Sequence, residues 1–289
     1  MWKKALKIVF LFLFLFGIER FCYKQTAGFR IQKISTELPY NPKWEVETKP
    51  PLELLSGPYT FLGSGVQCYA FESADCQTVL KVFKHYHSFP SNNTLQKMSL
   101  PSFIENYRKE LLNKRYKRLY SIFNSAALAY KELREETGLI YLHLNRTNHL
   151  NKTLTLIDKL GNHHFIDLDN TAFLLQKKGE LLFVKLSSLI DSGDIGTAKQ
   201  LIHSLICNIS SRAQKRIVNT DPILGRNFGS LEGRAIEIDI GSFVKNPAPA
   251  NSQELRFDGL FEIGDLESWL EKNHPFLIPF FQEELRAHT

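Results

Sequence analysis

Hydrophobic spacing changes its period once along this chain, and that change restricts what the chain can fold into. Between Tyr59 and Glu180 the apolar residues alternate at the two-residue period of strands. "YTFLGSG", "CYAFES" and "QTVLKVFKHYH" read as three strands, and "LIYLHL" as a fourth. "KTLTLIDKLGNHHFIDL" reads as a hairpin turning at Leu160–Asn162, and "AFLLQKKGE" as a last strand. One helical stretch interrupts them, "FIENYRKELLNKRYKRLYSIFNSAALAYKELREETG", as one long helix or two in series. A loop, "HSFPSNNTLQKMSLPS", leads into it, Ser102 caps it and Gly138 stops it. Beyond Gly179 the apolar residues fall three and four apart, through "ELLFVKLSSLIDSG" and "DIGTAKQLIHSLICNISSRAQKRI". A "NPAPANSQ" linker and a closing segment follow, the latter interrupted at Pro275 and Pro279. Strands with an inserted helix, then helices, predict an α+β chain in two lobes, not the regular alternation of a doubly wound sheet.

Composition narrows the function classes. With 289 residues, 43% of them hydrophobic, the chain can bury the core of one two-lobed domain or two small ones. A net charge of +6 is a mild basic excess, and neither zinc-finger spacing nor a basic-aromatic RNA motif accompanies it, so no nucleic-acid partner is expected. Cys22, Cys68, Cys76 and Cys207 are scattered without a C-x-x-C pair, which argues for reduced thiols. Sequons at Asn92, Asn145, Asn151 and Asn208 carry little weight in an asparagine-rich chain.

The N-terminus combines basic "MWKKALK" with an unbroken apolar run, "IVFLFLFLFGI", at residues 8–18. No small-residue cleavage site and no lipobox follows, so residues 1–23 read as an uncleaved membrane anchor. Lysines and arginines flank it about equally, and a cytoplasm-facing domain is expected if the protein uses ATP. A proline-punctuated connector spans 24–58, a β-rich lobe with the inserted helix 59–178, and a small helical lobe 179–289.

Several residues suit phosphate and metal chemistry. Gly63 and Gly65 lie between two strands, where backbone can approach a charged ligand, although a hairpin turn explains them equally well. Lys81 follows on the third strand, on the face opposite Lys84, and a snorkelling edge lysine is its alternative. In the second half come Asp221, Asn227 and Asp239. "IEIDIGSF" reads as a strand ending at Gly241, with Asp239 either a metal ligand or Asp-x-Gly turn punctuation. Mg²⁺ takes few protein oxygens, and an Asn227 amide oxygen with an Asp239 carboxylate fits that need. Asp221 is then free to orient a hydroxyl and accept its proton, or it is an Asp-Pro turn initiator.

Taken in order, Gly63–Gly65, Lys81, Asp221, Asn227 and Asp239–Ile240–Gly241 resemble the protein-kinase-like superfamily over roughly residues 59–245. The resemblance implies a two-lobed fold with a β-rich N-lobe and a small helical C-lobe, and the cofactors ATP and Mg²⁺. Gly63, Gly65 and Lys81 would bind the phosphates, Asn227 and Asp239 the metal, and Asp221 would be catalytic. Leu174–Lys177 would be the hinge and 180–211 the helical lobe. Asn227 lies six residues after Asp221 rather than five, Asn219 replaces the catalytic-loop histidine, and Ile240 replaces the phenylalanine of the D-F-G motif. The glutamate that pairs with the lysine falls among Glu105, Glu110 and Glu132. Only about fifty residues follow Asp239, which favours a small-molecule, sugar or lipid acceptor over protein. The alternative is a catalytically inactive pseudokinase acting as a membrane-tethered scaffold. In "QCYAF", "VLKVFK", "LIDKLG", "FLLQKK" and "NFG" the chain also resembles uncharacterised proteins of chlamydia-like bacteria, a likeness that brings no activity with it.

The remaining polar features have plainer readings. Arg108, Lys109, Lys114, Arg115, Lys117 and Arg118 form a solvated helix face, or else meet anionic lipid or an acidic partner. His163 and His164 are expected exposed at the hairpin tip, and Asp167 and Asp169 as polar hairpin positions.

Overall fold

The structure, a computed structural model, describes residues 2–34, 38–85, 101–246 and 260–288. Most of the loop expected ahead of the long helix, with Asn92, lies outside the described residues, as do the Ser102 side chain and most of the "NPAPANSQ" linker. The fold is α+β and divides into two compact units.

The strands before Gly179 fall where the two-residue period places them: β1 (Tyr59–Ser64), β2 (Cys68–Ser73), β3 (Thr78–Phe83), β4 (Leu139–His143), β5 (Thr153–Ile157), β6 (His163–Asp167) and β7 (Phe173–Lys177). The first unit takes in residues 1–40, 48–109 and 143–173. In it β3, β2, β1, β5 and β6 are neighbours in that order, antiparallel except for the parallel β1–β5 pair. Tyr59, Tyr69, Phe71, Leu80, Val82, Leu154 and Leu156 are buried. Phe29 sets its ring edge-on to Tyr69 and Phe71 at 5.1 and 5.5 Å, a geometry that adds about 0.5–1.5 kcal/mol per pair to simple burial.

The β5–β6 turn is built on Asp158. Its Oδ1 accepts from the amides of Leu160 and Asn162 at 2.9 Å each, and Gly161 takes φ +84° inside the turn. His164 does not lie exposed as expected. Its Nε2 meets Asp158 Oδ2 at 2.8 Å, and its ring stands edge-on to Phe29. Asp169, also buried, ties down a loop by accepting from Thr147 Oγ1 and from the amides of Leu150 and Asn151.

Helix α1 (Trp2–Thr26) overturns the expected membrane anchor. Among the described residues no helix is long and apolar enough to cross a membrane. The apolar run of eleven residues rises only about 17 Å against a hydrocarbon core of about 30 Å. Lys7, Glu19 and Arg20 bracket it, so any window long enough to span takes in at least three charges.

The second unit takes in residues 41–47, 110–142 and 174–289. Most of helix α2 (Ser102–Glu132) lies in it, followed by a single turn, Arg134–Thr137, that Gly138 ends at φ +65°. Trp44 packs on Tyr120 and Phe123 of α2 and donates its Nε1–H to Asn124 Oδ1 at 2.8 Å. Helices α3 (Leu182–Asp191), α4 (Ile195–Gln214), α5 (Leu260–Asn273) and α6 (Ile278–His288) share one core. In α4 that face is Ala198, Leu201, Ile202, Leu205, Ile206 and Ile209, the spacing of three and four that marks an amphipathic helix. Asp194 caps it by accepting from the Thr197 amide. Pro275 breaks the closing segment as expected, whereas Pro279 sits in the first turn of α6, where proline is tolerated.

Two small sheets accompany the helices. One orders β11 (Arg234–Glu237), β10 (Phe228–Leu231) and β8 (Glu180–Leu181); the other pairs β12 (Phe243–Lys245) with β9 (Ile217–Asn219). The strand expected through Ile240 stops at Glu237. The Ile238 amide still meets its in-register partner, the Asn227 carbonyl, and the Asp239 amide turns to that same carbonyl.

Candidate functional site

In the first unit the glycine loop closes the β1–β2 hairpin. The Gly65 amide donates to the Cys68 carbonyl at 3.0 Å, and a register shift sits between Phe61 and Gly63. A Cβ built on Gly63 would meet nothing within 4 Å, so the glycine keeps open space above the backbone. Lys81 is half-buried on β3 opposite Ala70 of β2.

Lys84, one residue past β3, grips this loop. Its Nζ donates to Ser64 Oγ at 2.7 Å and to the Gly65 carbonyl at 2.5 Å, and lies 4.2 Å from the centre of the Tyr69 ring. Burial lowers its ammonium to about 8, with Lys33 pushing the same way. Its backbone amide donates to the Gln67 carbonyl, which turns the side chain back over the loop. The strand alternation placed Lys84 opposite Lys81 but gave no sign of this return, because the strand ends one residue earlier.

In the second unit the chain brings Asp221, Asn227 and Asp239 together. The single turn Leu224–Asn227 carries Asn227, which is 1% exposed. Its Nδ2 donates to the Asp221 carbonyl at 2.5 Å, and its own carbonyl accepts from Ile238 and Asp239 at 2.6 and 3.4 Å. Its Oδ1 is buried with no partner. Asp239 is half-buried, and its Oδ1 accepts from the Gly241 amide at 3.2 Å, the Asx turn that its sequence context allowed. The Asp221 carboxylate is held by Arg226, whose Nη2 reaches both oxygens at 2.9 and 2.7 Å. Oxygen donors from Asn227 and Asp239, one of them buried and unsatisfied, fit a hard divalent cation such as Mg²⁺.

Behind this loop lies a buried ionic cluster. Arg212 donates through Nη1 to both Glu237 oxygens at 2.7 and 2.8 Å and through Nη2 to Glu262 Oε1 at 2.6 Å. Asn219 donates to Glu237 Oε1 at 2.6 Å, and its own Oδ1 accepts from the Asp221 amide at 2.9 Å. Asn219 therefore links the Asp221 loop to the cluster. All three charged side chains are at most 1% exposed, and burial pushes Glu237 up to about 7 against the pull of Arg212 and Asn219. Sequence reasoning passed over Glu237, although it stands between two isoleucines in the stretch that reads as a strand. Arg212 and Glu262 carried no local signal.

The three glutamates considered for Lys81 have cationic neighbours of their own. Glu105 meets Arg108 and Lys109, Glu110 meets Lys114, and Glu132 meets Lys245. The expected hinge strand carries Gln176, which is buried and donates to the Thr137 carbonyl at 2.6 Å and the Glu237 carbonyl at 3.3 Å. A groove of about 530 Å³ beside Tyr116, Tyr120 and Phe243 includes none of the six candidate site residues.

No family model matches the chain, and no curated protein matches it either. Among solved structures, a crystal structure of WbdD is similar at 13% identity and a TM-score of 0.36, covering 76% of this chain and 44% of that one. WbdD co-crystallised with the kinase inhibitor LY294002 gives 13% identity and 0.36, covering 78% and 45%. A structure of the bifunctional kinase-methyltransferase WbdD gives 14% and 0.35, covering 76% and 43%. The chain thus spans less than half the length of the WbdD chains it matches. A likeness this distant assigns it neither an activity nor a ligand.

Proposed function

We propose that the chain is a nucleotide-binding protein of two-lobed, protein-kinase-like architecture that takes ATP with Mg²⁺ and transfers phosphate to a small-molecule hydroxyl. The observation that carries this reading is the buried, unpartnered Oδ1 of Asn227, on a residue whose backbone carbonyl accepts from the Asp239 amide. An unsatisfied buried acceptor costs about 1–3 kcal/mol, and a hard cation is one partner that would satisfy an amide oxygen. Asn227 and Asp239 would hold the ion, which supplies neutralisation of phosphate charge.

The other assignments follow from the chemistry of each residue. Gly63 leaves room for a phosphate to approach backbone, and Gly65 sits in the loop that Lys84 fixes. Lys81 is the cation on the adjoining strand, suited to pair with phosphate oxygens. Asp221 is the carboxylate that would orient an acceptor hydroxyl and take its proton once released from Arg226. That ion pair is largely exposed and worth at most about 1 kcal/mol, so release is cheap.

A second reading, nucleotide binding without transfer, is favoured by the same Arg226 contact, because it occupies both oxygens of the only catalytic carboxylate assigned. Thermal denaturation of the chain with ATP and Mg²⁺ tests the binding. At a hundredfold excess over the dissociation constant, an added 2.7 kcal/mol is expected, a rise of roughly 5–10 °C, and Lys81→Ala and Asp239→Ala should each abolish it. An unchanged midpoint in the unaltered protein overturns both readings. A shift without phosphate transfer to any hydroxyl acceptor leaves the pseudokinase.

A further inference from the structure

Helices α4 and α6 bring together a cluster that the proposed nucleotide chemistry does not use. His203 and Cys207 stand one turn apart on α4, so their side chains share a face, and His288 comes from the last turn of α6. Nε2 of His203 lies 3.5 Å from Cys207 Sγ, and Nε2 of His288 lies 3.3 Å from the same sulfur. The three donor atoms all lie within 4.8 Å of one another.

These separations match a metal polyhedron. A tetrahedral zinc ion with Zn–N near 2.05 Å and Zn–S near 2.3 Å has an S···N edge of about 3.5 Å. Both S···N edges are already at that length. The third edge needs only to close from at most 4.8 Å to about 3.4 Å, within reach of a rotamer adjustment on a partly exposed surface.

Proton placement points the same way. His203 Nδ1 faces Glu284 Oε2 at 2.5 Å, and His288 Nδ1 faces the Glu284 carbonyl at 2.9 Å. Both of those oxygens can only accept, so in the neutral imidazoles each Nδ1 carries the hydrogen and each Nε2 presents a lone pair. Two lone pairs then converge on one sulfur whose single S–H can satisfy one of them. A cation satisfies all three donors at once. A carboxylate on the far nitrogen of a ligating histidine is also the arrangement that fixes ring orientation and strengthens the ligand.

We propose that His203, Cys207 and His288 form a zinc site, with Glu284 orienting both histidines and the fourth position open to water. Two imidazoles and a thiolate select Zn²⁺ over Mg²⁺ or Ca²⁺, which prefer oxygen. The thiol proton is released to solvent as the ion binds. Bound zinc clasps the end of α6 to the middle of α4.

Zinc titration of the untagged full chain against a chromophoric chelator tests this, together with the absorption spectrum of the Co²⁺ form. One zinc equivalent is expected, with tetrahedral cobalt bands and a thiolate-to-cobalt charge-transfer band. Cys207→Ser should remove the charge-transfer band, and His203→Ala and His288→Ala should each weaken zinc binding by more than roughly 100-fold. Glu284→Gln should weaken it about tenfold, the usual effect of losing an outer partner. Failure of the unaltered chain to take up zinc, or a Co²⁺ form without the thiolate band, overturns the proposal, as does full affinity in Cys207→Ser.

Discussion

The Lys84 ammonium donates to the Gly65 carbonyl at 2.5 Å, so a buried cation holds the loop that carries both glycines of the candidate phosphate site. Its lowered value of about 8 shows that folding takes this charge out of water at some cost. Lys84→Met removes the desolvated charge and the loop contact together. Stability at pH 7 should change by no more than about 1 kcal/mol, because the two effects oppose. Hydrogen exchange at the Gly65 amide should nevertheless speed up. Between pH 8 and 10.5 the unfolded chain binds a proton at Lys84 that the folded chain has released, so the wild-type protein should gain stability as pH rises through that window. The Met variant should lack that gain; an unchanged slope would assign it elsewhere.

Glu237 shifts in the opposite sense. Its folded value of about 7 lies above the usual carboxylate range, so the folded state retains a proton that the unfolded chain loses. The associated stability is complete below about pH 4.5 and disappears as pH rises through 7. Denaturant midpoints across that interval should fall in the wild-type protein and flatten in Glu237→Gln. Arg212→Met, which leaves two buried carboxylates without their cation, should cost about 3–5 kcal/mol. A loss below 1 kcal/mol would mean the cluster is not formed in solution.

Asp158 provides an acid-side counterpart. Its carboxylate accepts from two amides, the Asn162 side chain and His164, which together hold it down to about 2. Stability from this group is present above about pH 3.8 and is lost as pH falls through 2. Asp158→Asn should cost about 1–2 kcal/mol at pH 7 and nothing near pH 1, below the folded value. An equal cost at both values would place the effect in turn packing, not charge.

These residues also show how far the sequence could be read. The Leu160–Asn162 turn, the strands β1–β3 and the α4 face were legible because each depends on neighbours within a few positions, where period and turn chemistry act. Asp221, Asn227 and Asp239, picked out by their order, lie on neighbouring backbone: the Asn227 Nδ2 meets the Asp221 carbonyl and the Asp239 amide meets the Asn227 carbonyl. The Arg212 cluster was not, since its members stand 25 and 50 residues from the arginine and meet only through the packing of α4, α5 and β11. Likewise, His203 and Cys207 at a one-turn spacing meant little until His288 arrived from 81 residues away. The anchor failed for a countable reason: its apolar run was read through the flanking charges that shorten it.

Asn227 separates a structural acceptor from a ligand. Its Oδ1 is buried with no hydrogen-bond partner, while its Nδ2 makes one bond to the Asp221 carbonyl. Asn227→Leu removes a costly orphan and a useful donor at once. Metal-free stability should therefore move by less than about 1.5 kcal/mol, far from the 3 kcal/mol or more expected if the side chain were a satisfied core bond. The midpoint rise with ATP and Mg²⁺ should disappear in the same variant. Asn227→Asp, which restores an oxygen donor and adds charge, should recover part of the rise. Scanning calorimetry reads both, and retention of the full rise in Asn227→Leu would remove this residue from the metal site.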